Sequence, residues 1–158
     1  MKTIAKIATG AVLVLTLSAC NQGPDPAKVQ ADISKAQAAG QKKIADAKAD
    51  MDKVMASVHK DAAVDRADAK ESAAKATAAA PATDTTAADA AAATKKIAEA
   101  QYSVDVATAE AEYGTALARC ENSMGDAQKT CKDAAKVKYD ADVNTAKSKR
   151  DTAKAATA

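Results

Sequence analysis

The chain contains no tryptophan and no phenylalanine, only three tyrosines, and a single histidine, His59. Past residue 20 it has one leucine, Leu117. Large apolar side chains supply the area that a compact domain buries, at about 25 cal/mol per Å². Their scarcity excludes the thick core of an ordinary globular enzyme. Helix breakers are also few, with three prolines and five glycines. Charge of one sign is missing too: Lys2 and Lys6 lie in the first nineteen residues, and the remainder balances 21 basic against 21 acidic side chains. A neutral, evenly mixed chain lacks the clustered basic face that nucleic-acid binding requires. What fills the space is alanine, at 46 of 158 positions. Alanine is the strongest helix former because it loses no side-chain entropy, and Lys, Gln and Glu follow closely. The fold class expected is therefore all-α: elongated alanine-rich helices with little core.

The first residues follow a different pattern. Lys2 and Lys6 give a positive start, Ile7 to Leu17 is a short apolar run, and small residues precede Cys20. This order reads as an export signal over residues 1–19. A membrane span needs about 20 apolar residues, more than the stretch from Ile4 to Ala19 offers with Lys6 inside it. A buried core helix fits poorly with Gly23, Pro24 and Pro26 so close behind. An ordinary secretory signal would leave Cys20 unmodified. The closing residues Leu17-Ser18-Ala19-Cys20, however, resemble the lipobox of bacterial lipoproteins. That resemblance implies a diacylglycerol on the Cys20 sulfur, cleavage before Cys20, and acylation of the freed amine. It also implies a cell-envelope protein whose first partner is a membrane, reached through the lipid. By resemblance to the sorting rules of such lipoproteins, Asn21 rather than Asp after the cysteine implies the outer membrane, with the protein facing the periplasm.

Residues 20–26 form a polar spacer in which Pro24 and Pro26 forbid an earlier helix start. Asp25 is placed to cap a helix whose first position is Pro26. The long helix expected over 27–80 carries Val29, Ile33, Ala36, Gly40, Ile44, Ala47, Met51, Met55, Val58 and Ala62 on one stripe. The pattern repeats every eleven residues, or about 3.67 per turn, which implies a straight or slightly right-handed coil. Its larger residues Met51, Met55 and Val58 form a candidate interaction face for a helical protein partner or a second copy. Pro81 predicts a hinge opening an Ala/Thr linker over 81–93, with Thr86 to Asp89 as a weak capping signal for resumed helix.

Residues 94–158 read as a helical hairpin. Tyr102, Val106, Ala109, Tyr113, Leu117 and Cys120 share one stripe, and Cys131, Ala135, Tyr139, Val143 and Ala146 share another. Gly125-Asp126 between them suits a left-handed helix end followed by a capping aspartate. On one unbroken helix Cys120 and Cys131 would stand about 16 Å apart, beyond the roughly 7 Å that a disulfide spans. A turn midway brings them together, and an oxidising compartment favours the bond. With those cysteines opposed, facing positions add to about 251 along antiparallel helices, which brings Tyr113 beside Tyr139 and Leu117 beside Ala135. Beyond Val143 only alanines remain for packing, which predicts a frayed tail. Tyr113, Cys120, Gly125-Asp126-Ala127, Cys131, Ala134-Ala135-Lys136 and Tyr139 together resemble alanine-rich helical envelope proteins of proteobacteria with a Cys-x10-Cys hairpin.

Candidates for chemistry are sparse. His59 has no second ligand type one helical turn away, so neither a metal site nor a general base is expected. Cys120 and Cys131 lack the Cys-x-x-Cys spacing of redox thiols. Carboxylates are scattered over charged faces without the apolar surroundings that would raise a pKa. No catalytic residue, metal, cofactor or small-molecule substrate is expected, and the reading is that of a non-enzyme. Two roles follow. One is a structural, tethering or protein-interaction lipoprotein, extended in shape. It is similar to murein lipoproteins in its lipobox and alanine-rich stalk, but has no heptad seam and ends Ala156-Thr157-Ala158 without a C-terminal lysine. The other is a stress-protective protein like the 11-repeat stress proteins, disordered when dilute, helical when dried or bound to membrane, and acting on membranes or proteins.

Overall fold

The computed structural model describes residues 23–75 and 85–157, and their side chains except at 72–75, 85 and 86. The described residues build three helices and no strand: α1 (Pro26–Lys75), α2 (Thr85–Cys120) and α3 (Gly125–Ala155). The all-α class expected from composition is the class observed. The leader over 1–19, Cys20 and the hinge at Pro81 lie outside the described residues.

Helix α1 starts where its cap dictates. The Asp25 carboxylate accepts a hydrogen bond from the Ala27 N–H at 2.9 Å, and its carbonyl accepts one from the Val29 N–H at 3.0 Å. Pro26 then occupies the position where a missing N–H leaves nothing unpaired. From there the 50 residues of α1 rise about 75 Å.

Extension of α1 away from the hairpin is corrected by the structure. Helix α1 runs back along α2, antiparallel to it, with Lys43 paired to Glu110 at 2.7 Å and Asp61 to Lys96 at 3.6 Å. The physical reason is the eleven-residue stripe. Val29, Ile33 and Gly40 are buried, and Ala36, Ile44, Ala47, Met51, Met55, Val58 and Ala62 are half-buried. Through residue 71, Val54 is the one other residue of α1 that is not exposed. A continuous apolar stripe is more stable against another helix than in water, and α2 is the helix against which α1 packs.

Helix α2 is the centre of the molecule, with α1 and α3 on different sides of it and no backbone approach between those two. Between Ile97 and Cys120 only Gln101, Ser103, Glu112 and Arg119 are exposed. Helices packed on two sides must be apolar on two faces. Tyr102, Ala109, Tyr113 and Cys120 serve α3. Val104 and Ala111 lie on the opposite face, and Ala111 meets Gly40 of α1.

Three boundaries differ from expectation. Residues 85–93, assigned to the linker, are the first turns of α2, because an alanine-rich segment free of proline has nothing to stop helix propagation. Asp126 does not cap α3. Met124 is the extended N-cap residue and makes no side-chain cap bond, while Asp126 sits in the first turn, where its charge suits the positive helix end. Gly125 does adopt a left-handed φ of 58°, but as the entry to α3 rather than the exit from α2. The tail does not fray: α3 continues to Ala155. Ala146 is buried, the Arg150 guanidinium lies 4.6 Å over the Tyr102 ring, and Lys154 pairs with Glu99.

Candidate functional site

The hairpin end concentrates the residues singled out by the sequence. Cys120 and Cys131 form a disulfide with Cα atoms 5.6 Å apart. Cys120 is 1% exposed and Cys131 half-buried. The turn between them closes with hydrogen bonds from the Asn122 N–H to the Arg119 carbonyl and from the Ser123 N–H to the Cys120 carbonyl, at 3.1 and 3.0 Å. Oxidation removes both sulfurs as nucleophiles or metal ligands.

The register read from the cysteines extends along the hairpin. Tyr113 and Tyr139 stack with ring centroids 5.0 Å apart, a geometry worth about 0.5–1.5 kcal/mol beyond burial. Charged pairs flank the rings. Lys138 donates to Glu112 at 2.6 Å and to Asp142 at 2.7 Å. The hydrogen bonds to Asp142 and Glu112 raise its pKa. Glu121 accepts from Lys132 at 2.8 Å and from Gln128 at 2.8 Å. The Lys132 hydrogen bond and charge hold its carboxyl below the usual range. Lys43 is raised chiefly by its hydrogen bond to Glu110. These are shifts toward the charged form at exposed pairs, the reverse of what general acid or base chemistry at neutral pH requires.

The backbones of α1 and α3 flank α2 without approaching each other, and grooves run along the helices. The larger, about 730 Å³, is walled by Gln37, Gln41 and Ile44 of α1 and by Ala134, Ala135 and Lys138 of α3. Its floor is Thr115, Ala116 and the Cys120–Cys131 bridge. A second, about 590 Å³, lies between the far ends of α1 and α2, where Val58, Ala62 and Val64 face Ala90 and Ala93 beside the Asp61–Lys96 pair. Both combine alanines with larger and charged side chains.

Of the proposed interaction face, Met51, Met55 and Val58 are half-buried on the stripe that faces α2, so they do not stand free as the extended shape would have left them. His59 is exposed. Among the described residues no group of His, Cys, Asp and Glu could hold a metal ion, and no helix is long and apolar enough to cross a membrane.

Sequence reasoning missed the α1-facing side of α2. Val104 is 7% exposed and is not on the stripe read for α3. The signal was available in Ile97, Val104, Ala111 and Ala118, which recur every seven residues beside the eleven-residue stripe. Arg150 over Tyr102 was also missed, although the hairpin register places position 150 opposite that ring. No protein-family model, curated protein or solved structure matches the chain.

Proposed function

We propose that the chain is a lipid-anchored protein of the bacterial cell envelope, attached through Cys20 and serving a structural or protein-interaction role in the periplasm, without catalysis. The observation that carries this reading is the occurrence in one chain of a leader ending Leu17-Ser18-Ala19-Cys20 and a Cys120–Cys131 disulfide. The bridge suits the oxidising compartment to which such a leader delivers a protein, and it leaves Cys20 as the unpaired cysteine. The grooves support a helical partner or a second copy as the interacting species. The folded-back α1 argues against a single helix reaching far into the periplasm. It also favours a rod that keeps its helices in water over a stress-protective chain that becomes helical only on binding.

Replacing Cys20 with Ser tests the anchor. Palmitate labelling should be lost and the protein should leave the membrane fraction. Retained labelling and unchanged membrane recovery would overturn the reading. Two acyl chains give stable attachment because each buried CH₂ contributes about 0.8 kcal/mol. Density-gradient separation should place the wild-type protein with outer-membrane vesicles, and recovery with inner-membrane vesicles alone would refute that placement.

A further inference from the structure

We infer that the disulfide-stapled turn between α2 and α3 is the membrane-facing tip of the molecule, resting on the lipid headgroups of the bilayer that holds Cys20. The inference rests on the lipid-anchor reading and adds an orientation and a contact surface to it.

Three observations lead there. First, α1 and α2 are antiparallel in a defined register: Gly40 opposes Ala111, and Lys43 pairs with Glu110. Following that register back along α1 puts Pro26 just beyond the level of Cys120, beside residues 121–125. The start of α1 and the α2–α3 turn therefore share one end of the rod. Buried Val29 and Ile33 fasten that end of α1 in place. Second, the tether is short. Cys20 precedes Pro26 by six residues, which span at most about 20 Å even fully extended. The opposite end cannot approach the same bilayer unless the rod lies flat, because Val64, for example, is 38 residues past Pro26, or about 57 Å along the helix. Third, Met124 projects from the turn with 56% of its surface exposed. A flexible thioether adapts to irregular apolar surroundings. Around it Glu121 is paired with Lys132, Asp126 offsets Lys129, and Arg119 and Lys28 are offset by Asp25 and Asp32, so the tip offers no net charge. The contact follows from the tether and from Met124, and should be indifferent to lipid charge.

The test exploits the absence of tryptophan from the chain, so that one introduced tryptophan is the only indole fluorophore. Met124→Trp and Val64→Trp place it at exposed apolar positions, 56% and 50% accessible, at opposite ends of the rod. The full mature protein, purified from membranes with its lipid confirmed by intact mass, is reconstituted into phosphatidylcholine vesicles with and without brominated acyl chains. Emission from Met124→Trp should be blue-shifted and quenched at least twofold by the brominated lipid, and Val64→Trp should be unchanged. Equal results should be obtained with vesicles containing phosphatidylglycerol. Because both variants carry the same probe, the intrinsic preference of indole for interfaces cannot by itself produce a difference. Equal quenching of the two would mean that the rod lies flat, and quenching of Val64→Trp alone would reverse it; either overturns the inference while leaving the anchor intact. A mass lacking any lipid on Cys20 would overturn the anchor and the inference together.

Discussion

Gly40 decides whether α1 and α2 touch where the structure places them. A glycine inside a long helix ordinarily weakens it, and Gly40→Ala should then stabilise α1 by about 1 kcal/mol through helix propensity alone. The structure predicts the opposite sign. A Cβ built on Gly40 would lie 2.6 Å from the Ala111 Cβ and 3.0 Å from its Cα, whereas apolar carbons rest about 3.5–4.0 Å apart. Neither Ala111 atom can be moved by turning a side chain, so the helices themselves must separate by about 1 Å. Overpacking of this kind costs roughly 1–3 kcal/mol. Set against the propensity gain, Gly40→Ala should lie between neutral and about 2 kcal/mol destabilising. Gly114 supplies the control, because a Cβ there meets nothing within 4 Å. Gly114→Ala should stabilise by roughly 1 kcal/mol. Thermal unfolding of the oxidised Cys20→Ser protein, followed by circular dichroism, should separate the two variants by several degrees, at about 4 °C per kcal/mol for a domain of this size. Adding Ala111→Gly to Gly40→Ala should restore part of the loss, giving a coupling of about 1 kcal/mol in a double-mutant cycle. If Gly40→Ala stabilises as much as Gly114→Ala, α1 does not pack on α2 in this register.

Reducing Cys120–Cys131 should lower stability by roughly 3 kcal/mol, and because α1 packs on α2 the loss should appear in one transition covering all three helices; a transition that spares α1 would contradict the packing. Tyr139→Leu should cost about 1 kcal/mol by removing the stack on Tyr113, measured by the same thermal scan, and no loss would mean that the rings do not stack in solution. Arg150→Gln should release the last turns of α3, read as faster amide exchange over residues 147–155, since the cation–π contact with Tyr102 contributes about 0.5–1 kcal/mol. The melting temperature should be flat from about pH 6 to 9. Lys43 and Lys138 are raised from 10.5, so their contribution is complete below that value and is lost as the pH climbs through their folded pKa. Glu121 is lowered from 4.5, so its contribution is complete above that value and is lost as the pH falls through its folded pKa. A transition near neutrality would refute this assignment.

The hairpin was legible because its signals were local and redundant. A turn glycine, two cysteines around it and two tyrosines in matching register all imply one geometry, and Gly125, the disulfide and the Tyr113–Tyr139 stack sit accordingly. The stripe on α1 was equally legible as a surface to be covered. What periodicity could not say is what covers it, since an eleven-residue stripe is satisfied by a partner, a second copy or a neighbouring helix. The answer lay on α2, where Val104 and Ala111 form a second apolar face that a single-stripe reading overlooks. The tail was misjudged for a related reason: counting apolar residues after Val143 ignored Arg150 and Lys154, whose side chains reach Tyr102 and Glu99. The candidate site was legible as residues rather than as surfaces. Cys120 and Cys131 were identified, but the groove over their bridge depends on how far α1 and α3 stand apart around α2, which no local pattern encodes.

Alanine-rich packing has a consequence for specificity. Interfaces of alanine and glycine bring backbones close, but one alanine resembles the next, so such a surface tolerates sliding along its length. Register must then come from the few features that differ. On α2–α3 these are the disulfide, the Tyr113–Tyr139 stack and Arg150 over Tyr102, spaced from the turn toward the far end of α3. On α1–α2 they are the fit of Gly40 against Ala111 and the Lys43–Glu110 and Asp61–Lys96 pairs. The ion pairs are exposed, and such pairs contribute about 0–1 kcal/mol each, too little to hold the helices together. A slip by one residue, however, would lose every pair at once and drive the Gly40 notch against the wrong neighbour. The covalent staple stands at one end of α2, with buried Val29 and Ile33 of α1 beside it, so that end carries the covalent constraint. Grooves border both ends, one over the Cys120–Cys131 bridge and one beside the Asp61–Lys96 pair. If the stapled end rests on a membrane, the end without the staple is the one that points away from it.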